Sequence, residues 1–488
     1  MDRSLAIATA ALALFAIVSG RTASDTIYVD VGWSGGTYDG GETSPYQTFG
    51  DAISAVHDSS ISSADIYMAD GNYTDTANGG LEDFSTSASY TLFENDGGGT
   101  RIQQTLNIYG GYTGWTSGSS FDWTGGNRTL KSTVIDAENG NARILTVNRR
   151  NSQTNLSGLT LQNGESTGNG GAVDVNSGWL GGFSVTDCRF EGNEAQGEGG
   201  AIDLVVGDRK TDSFTRVEFV DNVANGHGGA ASVSAGSQTY GFTVTDSSFS
   251  GNQANGSGND GGAIYMDDFS PTFDVNGSSF EDNSANGTGG AVAFHRASNA
   301  TFAQVVFAGN SSGNDGAAIG NTGDDWVAST VTLRNCLVVE NTGGVALHHA
   351  SKPGAPLVLE HVTLADNPDG GVYVERNNGT ANLEVTNSII ANNGAFGLKT
   401  DDNGTSEYND VWNHTDDYVG LSAGTGDISA DPRFLDAAND DYSISGDSPA
   451  SGTATDLGIY VDLIGVERPI GGFDMGAYEI IPDTTVQL

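Results

Sequence analysis

The chain has 488 residues, with 62 Asp or Glu against 19 Lys or Arg, so its formal net charge is −43. This balance argues against nucleic acid as a partner, because phosphate binding needs clustered basic side chains. Hydrophobic residues make up 37% and charged residues 17% of the chain, which is enough to bury a core, and the 71 glycines indicate many turns.

Residues 1–20 predict a signal peptide. The stretch 5–18 is apolar except for Thr9, which suits a signal sequence and is shorter than the ~20 residues that cross a bilayer. Val18-Ser19-Gly20 fits a cleavage site. A cytosolic chain that merely begins with an apolar stretch is the alternative. No later segment reaches spanning length, so we expect an exported protein without a transmembrane span, located outside the cell or at its surface.

Residues 25–150 are predicted to form an N-terminal cap and the first, irregular rungs of a repeat structure. Phe49, Ile53 and Val56 share one helical face, and Pro45 suits a first helical turn. A short amphipathic helix here would close the open apolar end of a solenoid.

Residues 151–398 contain a repeat with a period near 29 residues. One half places an apolar residue three positions before an asparagine: Phe190…Asn193, Phe219…Asn222, Phe249…Asn252, Phe280…Asn283, Phe307…Asn310, Val338…Asn341, Leu364…Asn367 and Ile389…Asn392. The other half is Gly-Gly-Ala-aliphatic, as at 170–173, 199–202, 261–264 and 289–292, with variants at 228–229, 316–317, 343–344 and 370–371.

Residues between the two halves alternate with period two, as in 242–249, which predicts strands. A repeat this short cannot bury its own apolar face, so successive repeats must stack with their strands in parallel. The predicted fold is all-β, a single-stranded parallel β-helix, right-handed by the crossover rule. We expect the phenylalanines to form an internal stack and the asparagines a ladder at a corner.

The two cysteines test this register. Cys188 and Cys336 both stand two residues before the apolar position of the motif, five rungs apart. At ~4.8 Å per rung they are about 24 Å apart, far beyond the ~7 Å that a disulfide spans. Two free thiols are therefore predicted.

Residues 399–488 are predicted to form a C-terminal module packed on the last rungs. The stretches 431–434, 441–444, 448–450, 468–469 and 474–479 resemble the choice-of-anchor Q proteins, and the repeat resembles that of chlamydial polymorphic outer membrane proteins. Tyr28-Val29-Asp30, 44–48 and 108–112 resemble the start of many exported bacterial β-helix proteins. The resemblance implies a pectate-lyase-like fold displayed at the cell surface. Residues 480–488 show no apolar anchor or basic stop, so secretion or attachment through partners is expected.

A stripe of polar side chains on one sheet face is the candidate site. Counting three or five residues past the second position of each glycine pair gives Asp174, Asp203, Tyr265, Asp267, His295, His349 and Arg376. Alternate positions such as Val173 and Ile202 are apolar, so the polar set is expected to face outward. We interpret it as a stripe for a glycan chain or a metal, against the alternative of a featureless solvated face. The register is less regular after Ala317.

Other candidate chemistry is weaker. His348-His349 with His361 would suit a transition metal, but no ligand spacing recurs. His227 is interpreted as an exposed turn residue. Lyases on this fold, as the resemblance implies, hold Ca²⁺ with clustered carboxylates against an acidic sugar, so Ca²⁺ is the cofactor that such an activity would require. A chain this negative repels a polyanion unless Ca²⁺ bridges them.

The sequence therefore favours an exported surface protein that mediates adhesion, with a polysaccharide or a surface protein as partner. The alternative is a polysaccharide lyase or glycoside hydrolase on the same scaffold, and a purely structural spacer is a third class. Fold alone does not separate them, because one scaffold hosts many functions.

Overall fold

The computed structural model describes residues 24–33, 39–42, 44–56, 63–74, 90–93, 105–112, 128–138, 142–148, 153–176, 182–206, 212–235, 241–267, 272–295, 299–321, 330–351, 354–377 and 380–480. The predicted signal peptide, residues 1–20, lies outside the described residues. Within them the chain winds through three long parallel sheets and one short sheet. The predicted all-β parallel β-helix is confirmed.

Each rung of the β-helix, meaning one full turn, crosses the sheets in a fixed order. The first sheet has 13 strands in the described chain: Ser24–Val29, Ser63–Ala69, Thr105–Tyr112, Gln153–Ser157, Gly182–Thr186, Asp212–Thr215, Phe242–Thr245, Phe273–Asn276, Ala300–Ala303, Val331–Arg334, Leu357–Glu360, Asn382–Thr386 and Asn403–Glu407. The second has 12: Gly71–Thr74, Thr133–Asp136, Leu159–Gln162, Arg189–Glu191, Glu218–Val220, Ser248–Ser250, Ser279–Glu281, Val306–Ala308, Leu337–Val339, Thr363–Ala365, Ile389–Ala391 and Asp410–Trp412.

A short sheet and the third sheet complete each rung. The short sheet has six two-residue strands in the described chain: Glu165–Ser166, Glu194–Ala195, Val223–Ala224, Gln253–Ala254, Ser284–Ala285 and Ser311–Ser312. The third sheet has 12: Tyr90–Phe93, Leu145–Asn148, Val173–Asn176, Ile202–Val206, Ala231–Ala235, Ile264–Asp267, Val292–His295, Ile319–Asn321, Leu347–Ser351, Val372–Arg376, Phe396–Thr400 and Asp416–Val419.

The predicted phenylalanine stack runs inside the second sheet. Phe190, Phe219, Phe249, Phe280 and Phe307 are fully buried, and their successive ring centroids are 5.1, 4.8, 4.7 and 5.0 Å apart with nearly parallel planes. In-register parallel pairing, as in Phe249 with Phe280, sets this spacing. The rings fill the core with contacts between identical neighbours.

The predicted asparagine ladder stands at the corner after the second sheet. Each buried amide donates to the Oδ1 of the next asparagine and to a carbonyl of the preceding rung, as Asn252 Nδ2 does to Asn283 Oδ1 at 2.9 Å and to Phe219 O at 3.0 Å. The last member is Asn393, not Asn392, because Ile390 and not Ile389 pairs with Leu364. The three-residue spacing is therefore kept from Ile390 to Asn393, and Asn392, with φ +57°, takes the positive-φ position that Asp366 has one rung before.

Both ends of the β-helix are covered. The predicted capping helix, α1 (Phe49–Val56), buries Phe49, Ala52, Ile53 and Val56 against the first strands. Tyr46 exchanges backbone hydrogen bonds with the outer edge of the first strand. At the other end Ile428 pairs with Asn409 and Val411. The edges are thereby protected from pairing with another chain.

The C-terminal residues fold back over the outer face of the second sheet. Strands of this sheet alternate outward polar with inward apolar residues up to Ser279–Glu281, but Leu337–Val339 and Ile389–Ala391 are buried throughout. Leu337 and Val339 pack with Tyr442, which lies in a hairpin of Phe434–Asp436 and Asp441–Ile444 joined by a 3₁₀ turn at Ala437–Asn439. We call residues 431–480 the C-terminal cover.

A buried ion pair holds the C-terminal cover together. Arg468 Nη1 lies 3.1 Å from Glu479 Oε2, and both side chains are fully buried. The same guanidinium donates to the carbonyls of Asp474 and Gly476. The carboxylate of Asp462 accepts the backbone N–H of Glu479. Arg468, Asp474 and Glu479 all lie in the C-terminal stretches 468–469 and 474–479, so this network is what those stretches form in the fold.

The thiol prediction is confirmed. Cys188 and Cys336 are buried and free. They share a column at the turn between the first and second sheets with Val217, Ser247 and Ser278. Burial raises the pKa of each thiol to about 12, so neither is reactive at neutral pH.

Replacing one ladder residue tests what holds the register. We expect Asn252→Ala to lower the free energy of unfolding by about 3 kcal/mol, since it leaves Phe219 O and the Asn222 amide without their partners in the core. Asn255→Ala, three residues away in an exposed turn, is the matched control and should change it by less than ~0.5 kcal/mol. Chemical denaturation measures both, and equal effects would contradict the role of the ladder.

Candidate functional site

The outer face of the third sheet carries a continuous row of outward positions along the β-helix axis. Parallel pairing places these residues in register, one per rung. We call them the polar column: Thr146, Asp174, Asp203, Ser232, Tyr265, Ala293, Gly320, His348, Tyr373 and Lys399. The predicted Asp174, Asp203 and Tyr265 are thus brought together in one column.

The residue before each glycine corner forms a second row beside the polar column. We call it the turn row: Asn169, Glu198, His227, Asp260, Thr288 and Asp315. Its first three members contact the column residue one rung further on. Asn169 Nδ2 donates to Asp203 Oδ2 at 3.0 Å, and Ser232 Oγ donates to Glu198 Oε2 at 2.9 Å.

An aromatic pair marks the third step of this pattern. The His227 ring lies flat on the Tyr265 ring, with centroids 4.2 Å apart and planes 18° apart. His227 Nδ1 accepts the backbone N–H of Asp260, which fixes the ring. The interpretation of His227 as an exposed turn residue is therefore wrong. Its side chain is half-buried and belongs to the turn row, in the position that Glu198 and Thr288 take in other rungs.

Carboxylates crowd the N-terminal end of the column. Arg143 Nη1 lies 3.3 Å from Asp174 Oδ2, and the guanidinium is anchored by carbonyls at 169–170. Burial, together with the nearby charges of Asp174 and Glu198, raises the pKa of Asp203 to about 7 against the opposing hydrogen bond from Asn169. Burial also raises the pKa of Asp174. A carboxyl that holds a proton near neutral pH thus stands beside a second one.

A second polar cluster lies at the C-terminal end of the column. His348 Nε2 is 3.3 Å from Glu375 Oε2, and the Lys399 ammonium sits 3.9 Å above the Tyr373 ring. Burial lowers the pKa of His348. Burial and Asp401 raise the pKa of Tyr373 to about 12. Tyr373 therefore presents a protonated phenol and an aromatic ring held by a cation.

Small residues separate the two clusters. Ala293 and Gly320 occupy the column between Tyr265 and His348. A Cβ atom at Gly320 would collide with the Thr288 methyl group, so the Thr288 side chain fills the space beside Gly320. The polar column thus has two side-chain clusters about 14 Å apart, three rungs at the strand spacing, with the buried Ala293 and Gly320 between them.

Asp267 and His295 stand two residues further along the same strands. They pair directly, and His295 Nδ1 lies 3.1 Å from Asp267 Oδ1. This part of the predicted stripe is therefore an adjacent column on the same face. Its later members are Ala350 and Glu375, which sequence counting missed.

The expectation that His349 faces outward is wrong. His349 pairs with Asn321, which continues the inward column of Met266 and Phe294, and it is 2% exposed. Its Nδ1 lies 3.1 Å from Asn321 Nδ2 and its Nε2 3.0 Å from Ala355 O. Burial lowers its pKa to about 4, so a neutral imidazole fills a core position.

The placement of Arg376 in the stripe is also wrong. Arg376 pairs with Ser351 at the end of its strand and its guanidinium bonds Asp402. The cause is a slip of the glycine pair. Leu347 pairs with Ile319 and with Val372, so the pair at 343–344 stands one residue early and that at 370–371 one residue late. Counting from them misses the column by one residue in each direction.

The three histidines considered for a metal are not brought together. His348 faces outward, His349 inward, and His361 lies at the turn before the second sheet, beneath the C-terminal cover, where its ring contacts Phe473. In the described ranges, no group of three or more His, Cys, Asp or Glu side chains is arranged to hold a metal ion. The carboxylate cluster at Asp174 is no exception.

Comparison with known proteins supports the repeat assignment. The family model of the Chlamydia polymorphic membrane protein repeat matches residues 187–204 and 246–267, and each match spans one Phe-x-x-Asn motif and one glycine corner. No curated protein matches the chain significantly. A solved structure titled "Crystal structure of pectate lyase Pel9A" aligns over 95% of this chain and 98% of that one, at 12% identity and a TM-score of 0.45.

The chain is thus a parallel β-helix protein with repeats similar to those of the Chlamydia polymorphic membrane proteins. No helix in the described part is long and apolar enough to cross a membrane.

The raised pKa of Asp203 predicts a pH-dependent stability. Because its folded-state pKa is about 7 and its unfolded value is near 3.9, the stability that the proton supplies is complete below pH ~4 and is lost as the pH rises to about 7. Asp203→Asn should remove this slope and leave the variant relatively more stable at pH 8 than at pH 4. Asp274→Asn, on the exposed face of the first sheet, is the control. Urea midpoints at both pH values measure it; an unchanged slope in Asp203→Asn would contradict the assignment.

Proposed function

We propose that this protein is displayed outside the cell and mediates adhesion by binding neutral glycan chains along the polar column. The observation that carries the proposal is the column itself, with a cluster of aromatic and polar side chains at each end, where Asp174, Asp203, Tyr373 and Lys399 are partly exposed. The likeness of the repeats to those of polymorphic membrane proteins supports a surface location.

The charge of the chain selects the ligand. With −43 overall and carboxylates at both ends of the column, the face repels polyanions. Neutral sugars carry hydroxyl groups, which donate hydrogen bonds to carboxylates and exchange them with amides. They also have apolar C–H faces, which stack on aromatic rings. The aromatic rings here are those of Tyr373 and of the His227–Tyr265 pair. The hydrogen-bonding groups are those of Glu375 and Asp203.

A regular face also suits a polymer. Binding groups repeat along the axis at the strand spacing, so a chain that lies along the column meets several weak sites at once. Linked weak contacts raise the overall affinity without any single tight pocket. An extended ligand is therefore favoured over a small molecule.

Removing one aromatic ring tests the proposal. We expect Tyr373→Ala to weaken retention of the protein on the neutral polysaccharides that it binds in affinity electrophoresis by at least tenfold, about 1.4 kcal/mol. Tyr460→Ala, which removes a tyrosine that is 56% exposed on the C-terminal cover, should leave retention unchanged. Binding that is equal in the two variants, or confined to acidic polysaccharides, would overturn the proposal.

A glycoside hydrolase is the second candidate, favoured by one observation. Asp174 and Asp203 are paired on neighbouring strands and lie on the same face, as two carboxyls must if they are to flank one glycosidic bond. Asp203 is the natural acid, since its pKa is raised to about 7. Asp174, paired with Arg143, is the natural nucleophile.

A reducing-sugar assay on the polysaccharides that the protein retains separates the two candidates. Hydrolysis that Asp203→Asn abolishes would establish the enzyme, whereas retention without products would leave adhesion. An absorbance assay for unsaturated products, with and without added calcium, tests the lyase alternative in the same samples. Calcium-dependent product would displace both candidates.

A further inference from the structure

A groove of about 580 Å³ lies on the outer face of the second sheet, away from the polar column. It opens where the C-terminal cover ends and leaves the sheet bare. Its floor is made by the outward residues of four successive strands: Glu218, Ser248, Ser279 and Val306. The volume falls within the ~300–1,000 Å³ of ligand sites.

The wall on the cover side is apolar and fixed. Asp462 Oδ1 accepts the backbone N–H groups of Ile464 and Val466, and Gln304 Nε2 donates to Asp462 O at 2.8 Å, which ties this turn to the sheet. Ile464 is nevertheless 70% exposed. A tightly held turn therefore projects a bare isoleucine over the groove.

The opposite wall is charged but balanced. Glu218 accepts hydrogen bonds from Lys131 Nζ at 2.6 Å and Arg189 Nη1 at 2.7 Å, and Arg216 binds Asp187. Burial would raise the pKa of Glu218, but the two cations outweigh it and hold the pKa below its usual range. Since each cation has its own carboxylate, the groove offers no excess positive charge to an anionic ligand.

The floor offers hydroxyl groups and no backbone edge. At the turn, the hydroxyls of Ser247 and Ser278 already donate hydrogen bonds to the carbonyls of Thr245 and Asn276. Within the described part of the chain, no hydrogen bond occupies the hydroxyls of Ser248 and Ser279. The strands beneath are paired on both sides, so an extended peptide cannot add to them as a further strand.

From this geometry we infer that the groove is a second saccharide site, which takes a neutral oligosaccharide with its apolar ring face on Ile464 and Leu463 and its hydroxyls toward Ser248, Ser279 and Glu218. A pyranose ring has the matching two-sided character. The absence of excess positive charge disfavours uronates and phosphates, and the saturated strands disfavour peptides. The site is independent of the polar column.

Filling the groove tests the inference. Isothermal titration calorimetry of the purified protein would use cellohexaose, xylohexaose, mannohexaose and maltohexaose, with trigalacturonate as the acidic probe. At least one neutral hexasaccharide should bind, and Ser279→Trp and Ile464→Asp should each weaken it by tenfold or more. Ser250→Trp, on the same face of a neighbouring strand but outside the groove, should bind as the parent protein does.

The polar-column variant distinguishes this site from the proposed function. Tyr373→Ala should retain hexasaccharide binding in the groove. Loss in Tyr373→Ala with full binding in Ser279→Trp would overturn the groove and leave the column. Preference for trigalacturonate, or no binding by any neutral hexasaccharide, would also overturn it. Should Ser279→Trp fail to fold by circular dichroism, Ser279→Ala, with an expected loss of a few-fold, takes its place.

Discussion

The asparagine ladder is the interaction on which the rest of this structure depends. From Asn193 to Asn367 each rung contributes one buried amide that bonds the rungs on both sides, so each of these rungs must bring an asparagine to the same corner. Successive ladder members are 29, 30, 31, 27, 31, 26 and 26 residues apart, yet the turn from the first sheet to the second keeps two residues from strand 182–186 onward. Length variation falls in the other turns: Asn252 stands 12 residues before Ile264 in the third sheet, but Asn367 only five before Val372. The ladder thus fixes the register that stacks the phenylalanines and aligns the polar column.

The same register explains how so acidic a chain stacks on itself. After the second sheet, successive rungs place a residue of positive φ at one position, alternating Gly192, Asp221, Gly251, Asp282 and Gly309. A Cβ atom at Gly251 or Gly309 would collide with the carboxylate one rung before, so glycine leaves room for the carboxylates of Asp221 and Asp282. These two acids therefore stand two rungs apart, about 9.6 Å, close to the screening length in physiological salt. Where Glu340 and Asp366 occupy neighbouring rungs, the Tyr442 hydroxyl bonds both, at 3.4 and 3.0 Å.

The sequence predicts the fold because each position of the repeat motif forms one column of stacked side chains in the solenoid. It predicts the polar column only where the glycine pair keeps a constant distance from the strand that follows. Asp174 and Tyr265 are placed correctly, but His349 is not, because a slip of one residue moves a side chain from the outer to the inner face. Strands such as 337–339 and 389–391, apolar on both faces, signalled that something covers the second sheet. What covers it, and the groove at its border, depend on contacts such as Gln304 with Asp462, 158 residues apart, which no local pattern specifies.

Inner strands of the three long sheets in the described chain are paired on both sides, so a ligand on a sheet face meets side chains and not free backbone groups. On the third sheet the turn row bends over the polar column: Asn169, Glu198 and His227 each contact the column residue of the next rung. That arrangement makes the face directional, since these three residues all lean toward the C-terminal neighbour. A ligand lying along the column therefore meets a different sequence of groups in each orientation. A periodic scaffold gains polarity from this one-rung offset, and in the proposed glycan site the aromatic ring at one end and the carboxyl pair at the other would favour one direction of binding.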